Sequence, residues 1–276
     1  MLVTTYKVGD LNISTLFFLY TKYLTNDMSE LEDRRLGLRD VTSQLKLDKS
    51  LPVLVMIDGH SFSKLIKNRF TKPFDPIFMN TMDQVAIQVC KEVQCCKLAY
   101  VQSDEISFFI DAVSQEDTPF FEFRLCKLLS IIPSIATGEF NRLQGSRLEK
   151  PAVFDCKVWN VNDYNDVFAW FLYRQLDCIK NSKSQTAQTY YQQKELSNLN
   201  SDNQIKKLLD EKGIDWNTFD PGMKYGRFIW KEIEHHISEK YGGYDRNVWK
   251  VHTGLELNKD KEKLIERIEK HETYKE

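Results

Sequence analysis

No run of apolar residues in this chain approaches the roughly 18–20 needed to cross a bilayer. The longest candidate, residues 16–20, is followed almost at once by Lys22, so a membrane partner is not expected. The six cysteines (Cys90, Cys95, Cys96, Cys126, Cys156, Cys178) contain no CxxC pair. Adjacent Cys95 and Cys96 suit neither a disulfide framework nor a zinc knuckle, and reduced thiols in a cytoplasmic setting are expected. A basic leader ending in a small-residue cleavage site is also missing. So is any excess of one charge: 38 Lys plus Arg against 40 Asp plus Glu leave a formal net charge of −2. That excludes a protein that coats nucleic acid with its whole surface. A local basic footprint needs only a few clustered cations and stays open.

What is present is material for a core. The sequence has 276 residues, 42% of them hydrophobic and 12% aromatic, enough for one large domain or one domain with an appended helical half. Residues 1–35 read as a poorly specified N-terminal extension, with Met28 resembling a natural chain start. From residue 51 the pattern sharpens. Residues 53–57 form a β-branched apolar run ending at Asp58-Gly59, a buried strand stopping at a turn. Asp75 as N-cap with Pro76 at N1 opens a helix whose apolar face carries Phe78, Met82, Val85, Ala86, Val89 and Val93. Residues 98–101 and 106–110 read as strands joined by a polar turn. Thr118-Pro119 repeats the cap-then-proline start for a second helix, with a kink expected at Pro133. Residues 153–158 give a fourth strand.

Strand, helix, strand, strand, helix, strand is the ferredoxin-like split βαβ arrangement, an α+β fold over residues 36–160. Residues 161–276 read as mainly helical, with a late hairpin and a charged terminal helix either solvated or mediating assembly. Ser201 with Gln204 reads as a capping box and Gly213 as the helix stop. His235 and His236 fall in what reads as a charged loop.

This topology has a chemical consequence. The first two strands are parallel, with the third antiparallel between them, so Asp58 and the Ser103-Asp104-Glu105 turn reach the same edge of the sheet. Carboxylates gathered there repel one another unless a hard cation neutralises them, and Mg²⁺ takes one or two carboxylates plus substrate phosphates. Spacing alone leaves the alternative open that Asp58-Gly59 and Ser103-Asp104 are ordinary turn residues.

Three stretches, MIDGHSFS (56–63), RFTKPFD (69–75) and AYVQSDEISF (99–108), resemble signature segments of the tRNA(His) guanylyltransferase superfamily. FDCKVWNV (154–161), RQLDCIKNS (174–182), KEL (194–196) and KYGRFIWK (224–231) continue the match in order. The resemblance implies a polymerase-type palm that adds nucleotides to tRNA 5′ ends in the 3′–5′ direction, using ATP, GTP and other NTPs. Asp58, Asp104 and Glu105 would form the catalytic group. Asp58, Gly59 and Asp104 would hold two Mg²⁺ ions. Asp58, Gly59, His60, Ser61, Phe62, Ser63, Lys72, Ser103 and Asp104 would line the nucleotide, joined by Arg174 and Asn181 from a polar helical stripe. Lys64, Arg142, Lys180 and Lys183 are weaker candidates for RNA contact. A homo-oligomer, a tetramer by resemblance, is implied as well.

Two departures matter. Met56 and His60 stand where the family usually has Arg. The HINNLYN stretch of true tRNA(His) guanylyltransferases is replaced by Ile179, Lys180, Asn181, Ser182, Lys183, Ser184 and Gln185. Its loss resembles the bacterial-type guanylyltransferase-like branch, which implies templated repair of 5′-truncated tRNA. Addition of a single G to tRNA(His) is the alternative, and a nucleotide cyclase on the same palm a more distant one.

Overall fold

The computed structural model describes residues 44–112, 118–238 and 242–269, together with the backbone of two short paired strands, Lys7–Val8 and Leu11–Asn12. The expectation for residues 1–35 otherwise lies outside the described residues. The chain divides into two units, Met1–Leu45 and Lys46–Glu276; the following concerns the second.

Its centre is a six-stranded sheet. In chain order the strands are β1 (Val53–Gly59), β2 (Cys96–Gln102), β3 (Glu105–Ile110), β4 (Phe154–Asn160), β5 (Arg227–Ser238) and β6 (Gly242–His252). Across the sheet they run β4-β1-β3-β2-β5-β6, every neighbouring pair antiparallel. β1 and β2 are therefore parallel to each other with β3 between them, as expected. Every residue of β3 is buried, which fits a central strand covered on both faces.

Helices α1 (Pro76–Glu92) and α2 (Leu125–Gln144) cover one face, where Val53, Val55, Ile57, Ile106, Phe108 and Ile110 point. The opposite face carries Leu54, Tyr100, Phe109 and Phe228 and is covered by α3 (Tyr164–Tyr190) and α5 (Lys261–Glu269). A short helix α4 (Ser201–Lys212) packs on the far part of α3. Alternate strand residues facing opposite helical layers is the period-2 pattern the sequence carries.

Local signals held at α1, where Asp75 Oδ1 accepts from the Ile77 and Phe78 amides at 2.8 and 3.0 Å. They failed at α2. Residues Phe121, Glu122 and Phe123 take left-handed φ values of 49, 53 and 54°, and the helix begins only at Leu125. Burying Phe120 and Phe123 in the core outweighs the cap-then-proline start. Pro133 lies inside a continuous 20-residue helix. The N-cap of α4 is Asn200 rather than Ser201, while Gly213 stops it at φ 68°.

The late hairpin is longer than expected and is not an appendage. β5 pairs with β2 from Leu98↔Trp230 to Val101↔Arg227, so it extends the palm sheet itself. His235 and His236 lie on β5, with His235 Nδ1 2.8 Å from Asp245 Oδ1. The terminal helix is not solvated all round: Leu264 and Ile268 of α5 are buried against α3 and the sheet.

Candidate active site

On the α3 side of the sheet, side chains change character toward the edge where β1 and β2 end. Leu54, Phe109 and Tyr100 are buried apolar residues. One step on, Ser107 Oγ accepts from Trp170 Nε1 at 3.2 Å. In the last row the register aligns Asp155, Asp58, Glu105 and Gln102 across four strands. Paired residues in an antiparallel ladder share a face, so this row is a line of acids closed by an amide.

Asp104 joins it from the two-residue turn between β2 and β3. Ser103 in that turn adopts φ 46°, and its hydroxyl donates to Asp104 Oδ1 at 2.9 Å. The Gly59 amide donates to the Asp104 carbonyl at 3.1 Å, tying the end of β1 to the turn. Burial pushes the Asp58 carboxyl above its ordinary value, and the carboxylates of Asp104 and Asp155 add to the shift. Asp104 is pushed up by burial too, against the Ser103 hydrogen bond. Asp58 and Asp104 thus stand together, each resisting ionisation, as the topology required.

Glu105 differs. Burial pushes it up, but the Arg174 guanidinium opposes this. Arg174 Nε and Nη2 donate to its two carboxylate oxygens at 2.6 Å each. Gln102 Nε2 adds a third donor at 3.0 Å. Farther along α3, Arg174 Nη2 lies 3.3 Å from Asp177 Oδ2, which also accepts from Asn181 Nδ2 at 3.0 Å.

These observations bear on whether a cation fits. Among the described residues neither Asp58 nor Asp104 makes an ion pair, whereas Glu105 is already neutralised. Two hard oxygen donors without a direct ion-pair partner fit the chemistry of Mg²⁺, for which Asp58, Asp104 and the Gly59 carbonyl would be the donor set. No cluster of three or more acidic, His or Cys side chains able to cage an ion occurs among the described residues.

The other sequence candidates fall into four groups. His60 and Ser61 are exposed on the turn after β1, Ser61 at φ 58°, and Ser63 is exposed on the one-turn helix Phe62–Leu65 that follows. Lys72 is exposed in a loop pinned by the Thr71 amide donating to Asp75 Oδ2 at 2.7 Å. The Phe62 ring turns into the core, its centroid 4.9 Å from that of Phe154 and 5.0 Å from that of Phe140, so only its backbone faces the loop. Of the RNA candidates, Lys64 and Lys180 are exposed. Arg142 is held by Glu139 at 2.7 Å and Lys183 by Asp202 at 2.6 Å.

Sequence reading missed Asp155 and Gln102. Asp155 was legible in principle, since the ferredoxin-like order puts the fourth strand beside the first. A cavity of about 1020 Å³ lies elsewhere, at the opposite end of β2, lined by Cys96, Lys97, Lys231 and Trp249 among others.

Comparison with known proteins places this geometry. A family model described as tRNAHis guanylyltransferase matches residues 37–162. A probable tRNA(His) guanylyltransferase of Dictyostelium discoideum is 28% identical over 214 residues, covering 69% of this chain and 79% of that protein. The tRNA(His) guanylyltransferase of Schizosaccharomyces pombe is 32% identical over 148 residues, 50% of this chain and 54% of its own length. The solved structure of a bacterial tRNA(His) guanylyltransferase-like protein in complex with ATP superposes with a TM-score of 0.73 at 29% identity, over 88% of this chain and 99% of that one. The matched segment contains both the acid pair and the β4-β1-β3-β2 palm, and over it this chain is similar to the tRNA(His) guanylyltransferase superfamily.

Proposed function

We propose that this protein is a nucleotidyltransferase that adds G to the 5′ end of tRNA(His). The observation that carries the reading is the convergence of Asp58 and Asp104, joined by the 3.1 Å bond from the Gly59 amide to the Asp104 carbonyl. The names of the relatives, all guanylyltransferases of tRNA(His), favour single-G addition over templated repair, reversing the order in which the sequence put them.

Asp58, Asp104 and the Gly59 carbonyl would hold Mg²⁺, which when bound lowers the pKa of a 3′-hydroxyl and screens triphosphate charge. The chain's own part is placement. The segment 60–63 follows the acid Asp58 directly, and with the exposed Lys72 it offers polar groups that a triphosphate would meet. α3 closes the other side and leaves Asp177 and Asn181 facing outward along its polar stripe. No side chain is needed as general base, because the acids act as ligands.

Templated 5′ repair is the second reading. It is supported by the replacement of HINNLYN on α3 and by the fit to a guanylyltransferase-like protein over 99% of that chain. End-labelled tRNA(His) lacking its extra G, incubated with ATP, GTP and Mg²⁺, separates the two. One added G, whether C or A stands opposite, supports the proposal. Addition only opposite C, continuing on shorter tRNAs, supports repair. Cyclic nucleotide from NTP without RNA would overturn both.

A further inference from the structure

Three acids crowd this edge beside a fourth, and one of them is treated differently from the rest. Both oxygens of Glu105 are occupied by the Arg174 fork at 2.6 Å each, one of them also by Gln102. Residue exposure is 9% for Glu105 and 9% for Arg174. The guanidinium is itself confined, 5.3 Å from the Tyr173 ring centroid and 5.8 Å from that of Trp170. A planar fork met by a carboxylate in two parallel bonds is the strongest and most directional ion pair available to side chains. Glu105 cannot turn toward a cation without giving up both 2.6 Å bonds and leaving the confined Arg174 with only the 3.3 Å contact to Asp177, a costly exchange.

We infer that Arg174 is a positioning residue that locks Glu105 out of the cation's ligand set, so that Asp58 and Asp104 rather than Glu105 serve as its side-chain donors. This rests on the reading of Asp58 and Asp104 as cation ligands, and it removes Arg174 from direct triphosphate contact. The lock also fixes the turn. Glu105 starts β3, Gln102 ends β2, and the single arginine braces the two-residue link that aims Asp104 at Asp58.

Direct Mn²⁺ titration followed by electron paramagnetic resonance, together with steady-state kinetics, tests this. Glu105→Gln should leave Mn²⁺ affinity within about threefold of the parent, because Glu105 is not a ligand. Arg174→Met should release Glu105 and tighten Mn²⁺ binding by at least about threefold, while kcat falls about tenfold or more and KM for GTP stays within about twofold. The double variant Glu105→Gln with Arg174→Met should return Mn²⁺ affinity to that of the parent. It also covers the case in which Arg174→Met alone does not fold, since it removes the buried unpaired charge. A tenfold or larger loss of Mn²⁺ affinity in Glu105→Gln would overturn the lock, as would a rise in KM for GTP at unchanged kcat in Arg174→Met. Asp58→Asn is the separate control. If it leaves Mn²⁺ binding intact, the reading of the acid pair fails, whatever the Arg174 variants do.

Discussion

A Cβ placed on Gly59 would lie 2.4 Å from Cδ2 of Phe62. Phe62 is 1% exposed and wedged among Phe78, Phe140 and Phe154, so its ring has nowhere to retreat. The glycine is therefore fixed by close approach, and that approach bends the chain from β1 into the turn beside the acids.

Gly59→Ala should destabilise the protein by about 1–3 kcal/mol through overpacking. Chemical denaturation would measure it, and a midpoint equal to that of the parent would show that the turn can relax around the methyl.

Asp104→Asn should reduce nucleotide addition by at least about a hundredfold, the order expected when one preorganised electrostatic partner is lost. Without divalent ions the same variant should melt about 1–2 °C higher, since it removes a half-buried charge that acts on Asp58. Activity and melting temperature moving in opposite directions is the signature; a joint fall would point to misfolding.

Asp75 caps α1 and receives the Thr71 amide that pins the Lys72 loop. Partial burial pushes its carboxyl up, but the amides of Thr71, Phe78 and Ile77 outweigh that and hold it below its ordinary 3.8. A depressed acid stabilises the fold above its unfolded pKa and loses that contribution as pH falls through the folded value. Asp75→Ala should therefore cost about 1 kcal/mol near neutrality. The gap from the parent should close as pH falls below 3.8. Paired denaturation curves across that range would check it.

Leu264→Ala should cost about 3 kcal/mol, because the side chain is fully buried. Were α5 merely a solvated tail, thermal unfolding of this variant would match the parent.

The acid pair was legible because it follows from strand order, and strand order was written in short apolar runs separated by turns. Asp58 and Asp104 needed no contact information beyond that. The Glu105–Arg174 pair, 69 residues apart, depends on which face of α3 meets the sheet, and the helix's polar stripe alone does not say so. The pairing of β5 with β2 was hidden for a similar reason: its ladder joins segments more than a hundred residues apart. At Phe121 to Phe123 a sound local signal lost to burial of two aromatic rings, a tertiary effect that no cap motif encodes.

Because β3 lies between β1 and β2 yet follows both in the chain, Asp58 and Asp104 become neighbours only once the last of these three strands has zipped into place. A nascent or partly unravelled molecule holding β1 and β2 apart is thus chemically silent. Competence for the reaction arrives together with completion of the sheet.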